Sequence, residues 1–144
     1  MVLDTHSRPQ RSLRLSVTDR CNLRCSYCMP EEEYLWLERD HLLTFEEIVR
    51  VVSCFQALGV ERLRLTGGEP LLRRELPRLL EMLQPLGLAE VAMTSNGILL
   101  RRFAAQLKAA GLQRLTISLD TLDPQTFERL SRRSELGAVL EGIE

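Results

Sequence analysis

Residues 12–28 read SLRLSVTDRCNLRCSYC, and this stretch decides the fold. Its first part alternates leucine or valine with polar residues, which is the period of a strand with one buried face. Its second part places Cys21, Cys25 and Cys28 in a C-x₃-C-x₂-C pattern directly after that strand. The stretch therefore predicts a strand over 12–17 that brings three thiols into one loop at its carboxyl end.

Three thiols so close in sequence suit one metal site better than structural disulfides. A structural zinc site needs a fourth ligand, and the remaining candidates are Cys54, His41 and His6. Cys54 lies on the apolar stripe of a predicted helix, so we expect a buried small hydrophobe, and we expect both histidines at the surface. A [4Fe–4S] cluster fits better, because three cysteines leave one iron open to a chelating small molecule. Zinc, or a purely structural or electron-transfer cluster, are the alternatives.

The rest of the chain repeats a strand followed by a helix. Thr44 and Glu47 predict a capping box that begins a helix, and Gly59 is typical of the residue that follows its end. Further strands are predicted over 62–66, 90–94 and 114–120. Further helices are predicted over 75–86, 100–110, 124–130 and 135–144. Four strands alternating with helices predict an α/β fold with a parallel sheet and right-handed crossovers.

The predicted strands carry polar residues on one face. This face lies either against solvent in an open sheet or along the lumen of a barrel with helices outside, and the regular crossovers favour the barrel. Arg14 and Arg64 both lie on the polar face. Buried arginines need partners, so the pair indicates an anionic or acceptor-rich ligand, unless Asp19, Glu69 or Asp120 pairs with them.

The composition is that of one folded domain. The chain has 144 residues, 44% of them hydrophobic, and a formal net charge of −1. This composition excludes a disordered chain, and a general nucleic-acid or membrane-surface binder would be more basic. No signal peptide or apolar run of about 18 residues is visible, so we expect a cytoplasmic protein. We expect a polar leader over 1–11 and an incomplete core domain over 12–144, because the last predicted helix breaks off without a cap.

Four motifs together resemble a known family: SVTDRCNLRCSYCMPEE at 16–32, RLTGGEPL at 64–71, TSNG at 94–97 and ISLD at 117–120. They resemble radical S-adenosylmethionine (radical SAM) enzymes and, more narrowly, the GTP 3′,8-cyclase family of molybdenum cofactor biosynthesis. The resemblance implies a parallel (β/α) partial barrel, of which this chain holds about the first four of six units.

The resemblance also implies a cofactor site. The cysteines that hold the [4Fe–4S] cluster in the family match Cys21, Cys25 and Cys28, and the open iron chelates S-adenosylmethionine. The family positions that contact S-adenosylmethionine match Tyr27, Gly68 and Ser118. Without the resemblance, these three residues are open to simpler interpretations as loop packing, a plain βα turn and a hydrogen bond in the lumen.

The family positions that contact GTP match Arg14, Arg64 and Thr94. The implied lyase reaction begins with a 5′-deoxyadenosyl radical that takes a ribose hydrogen from GTP. The product is (8S)-3′,8-cyclo-7,8-dihydroguanosine 5′-triphosphate. The resemblance implies an electron donor such as flavodoxin or ferredoxin, and it is compatible with a homodimer.

Family members also hold GTP with a second three-cysteine cluster in a C-terminal region that has no counterpart in this sequence. We therefore expect these 144 residues alone to be inactive on GTP. The alternative functions are another radical SAM enzyme, acting on a peptide or a porphyrin, and a non-catalytic metal-binding module.

Overall fold

The computed structural model describes residues 2–31 and 33–144 as alternating strands and helices. The strands are β1 (Ser12–Ser16), β2 (Arg62–Thr66), β3 (Glu90–Ser95) and β4 (Arg114–Ile117). The α-helices are α1 (Phe45–Ala57), α2 (Leu76–Leu83), α3 (Leu100–Ala109), α4 (Pro124–Ser131) and α5 (Leu136–Ile143). Short 3₁₀ helices lie at Arg39–His41, Pro70–Leu72 and Gln84–Leu86.

The four strands form one parallel sheet in the order β1-β2-β3-β4. Leu15, Leu65, Met93 and Leu115 lie side by side across it, and Arg14 is the neighbour of Arg64 on the opposite face. The predicted parallel α/β fold is therefore confirmed. The sheet ends at β1 and β4, as expected for the first four units of a partial barrel.

The two predicted N-caps, Thr44 and Asp123, are confirmed by their hydrogen bonds. The Glu47 N–H donates to Thr44 Oγ1 at 3.2 Å, and the Thr44 N–H donates to Glu47 Oε2 at 2.8 Å, which completes the capping box. At α4, the Thr126 N–H donates to Asp123 Oδ1 at 2.8 Å. These caps satisfy backbone groups that the first helical turn leaves without partners.

Two predicted elements differ from the structure by more than one residue at an end. The α-helix predicted over 75–86 is regular only over Leu76–Leu83 and then tightens to 3₁₀ over Gln84–Leu86, where Pro85 has no N–H to donate. Glu75 has a left-handed backbone, with φ of 56°, and lies outside the helix. The strand predicted over 114–120 ends at Ile117, so Ser118 and Asp120 belong to the loop that follows β4.

Helices cover the apolar face of the sheet. Leu65 and Met93 are fully buried there, beside Ile48 and Val52 of α1 and the leucines of α2. A second, smaller cluster lies at the carboxyl end of the sheet, where Leu23, in the loop that carries the three cysteines (the cysteine loop), packs with α4 and α5. The larger cluster stabilises the sheet, and the smaller one supports the loop that carries the thiols.

The prediction that Cys54 is buried is wrong, because its side chain is exposed. The buried side of α1 consists of Ile48 and Val52. The end of the apolar stripe lies at the rim of the core, where Phe55 is 40% exposed and Leu58 is 49% exposed. Cys54 shares that rim and is remote in sequence from the cysteine loop. No helix in the described ranges has both the length and the apolar character that a membrane span requires.

Candidate active site

The three predicted cysteine ligands lie in one loop after β1. Cys21 and Cys25 are half-buried and Cys28 is exposed, and none of them forms a disulfide. The N–H groups of Cys28 and Met29 both donate to the Cys25 carbonyl, at 2.9 and 2.7 Å, which closes a tight turn. We call residues 25–28 the cysteine turn.

The loop is hydrogen-bonded to α4 and to its own backbone. The Arg24 N–H donates to the Ser131 carbonyl and the Ser26 N–H donates to the Leu130 carbonyl, both at 2.9 Å. Arg24 Nη1 also donates to the carbonyls of Cys21 and Leu23, at 2.7 and 2.8 Å. The backbone around Cys25 is therefore fixed from both sides, while the cysteine turn faces outward.

Burial raises the pKa of the Cys21 and Cys25 thiols above their ordinary value. The desolvated thiolate is costly in the absence of a positive partner, and a metal ion supplies such a partner. The Leu23 N–H donates to Cys21 Sγ at 3.4 Å, a contact of the kind that stabilises a sulfur ligand. The two half-buried thiols are therefore suited to metal binding more than to free thiolate chemistry.

Gly67 and Gly68 follow β2 and pack against the residues that lead into the cysteine loop. The Gly68 N–H donates to the Thr18 carbonyl at 2.8 Å. A Cβ at Gly68 would lie 2.3 Å from the Arg20 carbonyl oxygen, and one at Gly67 would lie 2.6 Å from that of Thr18. Glycine is required here because two backbones approach each other, in addition to any contact with a ligand.

Glu69 is the buried centre of the carboxyl end of the sheet. Only 1% of it is exposed. Its carboxylate accepts hydrogen bonds from the Leu71 N–H at 3.0 Å, Ser95 Oγ at 2.9 Å and the Asn96 N–H at 2.8 Å. We call these four residues the Glu69 hub. Burial raises the pKa of Glu69, although its three hydrogen bonds act in the opposite direction. The hydrogen bonds of the hub connect the turn after β2 to the end of β3.

Asn96 connects this hub to the first cysteine. Its Nδ2 donates to Asn22 Oδ1 at 2.8 Å and lies 3.9 Å from Cys21 Sγ. The sequence motif at 94–97 marked this turn, but it did not assign a role to the asparagine. Cys21 thus contacts a side chain 75 residues further along the chain.

Two predicted cofactor residues come together at a small cavity of about 50 Å³. Tyr27 and Ser118 line it with Cys25, Asn96 and Asp120. Tyr27 Oη donates to Asp120 Oδ2 at 2.5 Å, and this hydrogen bond raises the pKa of Tyr27 above its ordinary value. Gly68 does not line this cavity, so the structure brings together two of the three residues predicted to contact S-adenosylmethionine.

The predicted substrate residues lie on the polar face of the sheet. Arg64 Nη1 donates to Thr94 Oγ1 at 3.2 Å and to Thr116 Oγ1 at 3.0 Å. Arg14 is the cross-strand neighbour of Arg64 and is exposed. Neither arginine forms an ion pair with a carboxylate in residues 2–31 and 33–144. The alternative in which Asp19, Glu69 or Asp120 neutralises them is therefore not what the structure shows.

The sequence was compared with known protein families. The model of the radical SAM superfamily matches residues 15–144, which is most of the chain. The chain belongs to the radical SAM superfamily.

Curated relatives of this radical SAM chain share one name. A GTP 3′,8-cyclase of Acidothermus cellulolyticus is 53% identical over 149 residues, covering 99% of this chain and 41% of that protein. A GTP 3′,8-cyclase of Streptomyces coelicolor is 50% identical over 145 residues, covering 99% of this chain and 42% of that protein. The chain thus spans about two fifths of the length of the curated relatives it matches.

Solved radical SAM structures share the fold. Streptococcus suis SuiB bound to S-adenosylmethionine superposes with a TM-score of 0.69 and 21% identity, over 88% of this chain and 29% of that one. TYW1 with a lysine-pyruvate adduct superposes with a TM-score of 0.66 and 21% identity, over 92% of this chain and 50% of that one. At these identities the likeness establishes the partial-barrel fold alone.

The radical SAM superfamily implies an iron–sulfur cluster and S-adenosylmethionine, and the loop fits that pair chemically. Three thiols free of disulfides lie in one loop, and one of them already accepts an N–H hydrogen bond. Within the described ranges, no three Cys, His, Asp or Glu side chains are grouped as a formed metal site would group them. The donor set is thus present, and the side chains have to turn toward one another to hold a cluster.

Proposed function

We propose that the chain is part of a GTP 3′,8-cyclase, the radical SAM lyase that converts GTP to (8S)-3′,8-cyclo-7,8-dihydroguanosine 5′-triphosphate. The observation that carries this proposal is the identity of 53% and 50% to cyclases across 99% of the chain. The cyclase relatives are longer, so turnover of GTP is proposed for a protein that contains this chain. Such a protein works in the reducing cytoplasm, where thiols persist.

In this proposal Cys21, Cys25 and Cys28 hold a [4Fe–4S] cluster with one iron open to S-adenosylmethionine. Together the bound groups supply one-electron cleavage of a carbon–sulfur bond, with the electron drawn from a flavodoxin or a ferredoxin. The chain's own residues position these bound groups and shield them. Leu23 and α4 fix the loop, and Asn96 orients Cys21.

Tyr27, Gly68 and Ser118 are the proposed contacts for S-adenosylmethionine. Tyr27 and Ser118 support this assignment because they line one cavity next to Cys25. Gly68 supports it because its residue surface is exposed while its backbone is held against Thr18. The exposed backbone of Gly68 is therefore accessible to a ligand.

Arg14, Arg64 and Thr94 are the proposed contacts for GTP. Thr94 and Thr116 hold one end of the Arg64 guanidinium, which leaves its other donors free. A guanidinium presents donors in a fixed plane, which suits nucleotide oxygens and ring acceptors. Arg14 beside it adds a second cation with no carboxylate partner in the described residues, so the face favours an anionic ligand.

The experiment is transfer of deuterium from GTP labelled on the ribose into 5′-deoxyadenosine, made by the reconstituted full-length protein. We expect deuterium to appear in wild type and to fall in the variants Arg14→Ala and Arg64→Ala, with iron content unchanged. The matched control is Arg62→Ala, which lies on β2 nearer its amino end. Release of 5′-deoxyadenosine without deuterium would indicate a radical enzyme for a peptide or porphyrin. A single colourless metal would indicate a binding module.

A further inference from the structure

An arginine-lined cavity lies beside the start of the cysteine loop. It has a volume of about 350 Å³, and five arginines line it: Arg20, Arg39, Arg73, Arg74 and Arg78. We call it the arginine cavity. None of its lining residues lines the small cavity at Tyr27 and Ser118, and none is proposed here to contact the cluster, S-adenosylmethionine or GTP.

The charge of the arginine cavity is unusual for this chain. The whole sequence has a net charge of −1, yet five arginines line this cavity, with only Glu46 and Glu75 as opposing carboxylates among the lining residues. Glu46 is engaged, because its Oε1 lies 3.5 Å from Arg78 Nη2. Like charges held together are unfavourable in the absence of an anion, so this clustering points to a ligand of negative charge.

One arginine of the cavity is held in place by the protein, and another has a buried donor without a partner. Arg73 Nη2 donates to the Leu43 carbonyl at 2.7 Å, and its guanidinium lies 5.3 Å from the centre of the Phe45 ring. Arg20 Nε is one of only two buried side-chain atoms without a hydrogen-bond partner in the described residues. A buried N–H without a partner is costly, and Arg20 lines the cavity, so a shift of its side chain toward a bound anion would supply the missing partner.

Two further arginines of the cavity are without a side-chain partner among the described residues. Arg39 and Arg74 make no side-chain hydrogen bond or ion pair within residues 2–31 and 33–144. Guanidinium groups match the geometry of phosphate oxygens, and the volume lies in the range of small-molecule sites, about 300–1,000 Å³. A cavity of this volume suits a small molecule better than an extended acidic protein surface.

We propose that the arginine cavity binds a phosphate group, either free phosphate or the phosphate of a small organic molecule. The site shares Thr18 and Arg20 with the residues that lead into Cys21, so an occupied cavity would also stabilise the start of the cysteine loop. The proposal is independent of the proposed function, since it requires neither iron nor GTP.

The test is calorimetric titration of the chain at low salt with inorganic phosphate and, separately, with phenyl phosphate. We expect one site per chain. Arg39→Gln and Arg74→Gln should each weaken binding by about tenfold, because each removes a charge-assisted contact. Tighter binding of phenyl phosphate would assign the site to an organic phosphate, and equal binding would assign it to the free ion.

The matched control is Arg102→Gln, which removes one charge from an arginine that lies over Phe103, outside the cavity. It should leave the affinity within about twofold of wild type, and thermal melting without phosphate should show that all three variants fold. Equal weakening by all three variants would overturn the proposal, because it would show attraction to general charge. Absence of phosphate binding, with a glutamate-rich peptide bound instead, would also overturn it.

Discussion

The Glu69 hub and the cysteine turn lie at the same end of the sheet, and they are built in opposite ways. In the hub, a carboxylate that is 1% exposed has all its hydrogen bonds supplied by the protein. In the cysteine turn, Cys28 is exposed and Tyr27 is 65% exposed. The protein therefore completes the frame of the site by itself and leaves the ligand-holding turn accessible. A frame made before the ligand arrives reduces the cost of ordering the site when it binds.

Removal of a thiol from the ligand loop should have the largest effect. Cys21→Ala, Cys25→Ala or Cys28→Ala should each abolish the iron–sulfur absorbance after anaerobic reconstitution, because a loop with two thiols cannot hold the cluster. The hydrogen bonds of the Glu69 hub should be retained, so the melting temperature of the metal-free variants should stay close to that of wild type.

Cys54→Ala is the control for this series. Cys54 is exposed on the rim of α1, so the variant should keep both the absorbance and the stability of wild type. Loss of the absorbance in Cys54→Ala alone would contradict the assignment of the three ligands.

A substitution at Gly68 should disrupt the close backbone packing at the carboxyl end of the sheet. In Gly68→Ala the new Cβ would lie 2.3 Å from the Arg20 carbonyl oxygen, so one of the two backbones has to move. We expect the free energy of unfolding to fall by about 1–3 kcal/mol and the yield of cluster to fall with it. Chemical denaturation measures the first effect and iron analysis the second.

Gly137→Ala is the matched control for Gly68→Ala. Gly137 lies in α5, and a Cβ there meets nothing within 4 Å. Alanine is the better helix former, so this variant should gain about 0.5–1 kcal/mol. Equal loss of stability in both variants would show that the close approach at Gly68 is not what matters.

The pH dependence of stability tests the hub. Burial raises the pKa of Glu69 in the folded state above its ordinary value of 4.5. The folded protein therefore holds this proton more tightly than the unfolded chain does. Its contribution to stability is present below about pH 4.5 and is lost as the pH rises through the raised pKa.

Glu69→Gln should remove this pH dependence. The difference in unfolding free energy between variant and wild type should then change across the window that begins near pH 4.5. A difference that stays constant with pH would mean that burial does not shift the pKa of the Glu69 carboxyl.

The smallest effect on the fold is expected on the polar face. Arg64→Ala removes hydrogen bonds to Thr94 and Thr116, both partly solvated, and should cost roughly 0.5–1.5 kcal/mol or less. Iron content should be unchanged, since neither threonine contacts the cysteine loop. Loss of cluster in Arg64→Ala would contradict the view that the polar face and the cysteine loop are structurally independent.

Local rules explain why much of the fold was predictable. The caps at Thr44 and Asp123 depend on residues three positions apart, and the alternation of β2 is visible within five residues. The three cysteines followed from their spacing and the two arginines from strand alternation, whereas Tyr27, Gly68, Ser118 and Thr94 came from the family resemblance.

What the sequence could not predict depends on contacts between distant residues. Glu69 meets Ser95 across 26 positions, and Asn96 meets Cys21 across 75. The glycine pair after β2 was attributed to a ligand, and the packing of its backbone against Thr18 and Arg20 is visible only in the fold. The error on Cys54 has the same origin, since periodicity shows which face of a helix is apolar but not where the core ends.

The measurement that most directly tests the central claim is reductive cleavage of S-adenosylmethionine by the reconstituted chain. With a strong reductant and no GTP, wild type should release 5′-deoxyadenosine and methionine, and Cys21→Ala should release neither. Cys54→Ala should match wild type. A wild-type chain that assembles a cluster of about four irons but releases no 5′-deoxyadenosine would contradict the account, because its loop would then hold a cluster for another purpose.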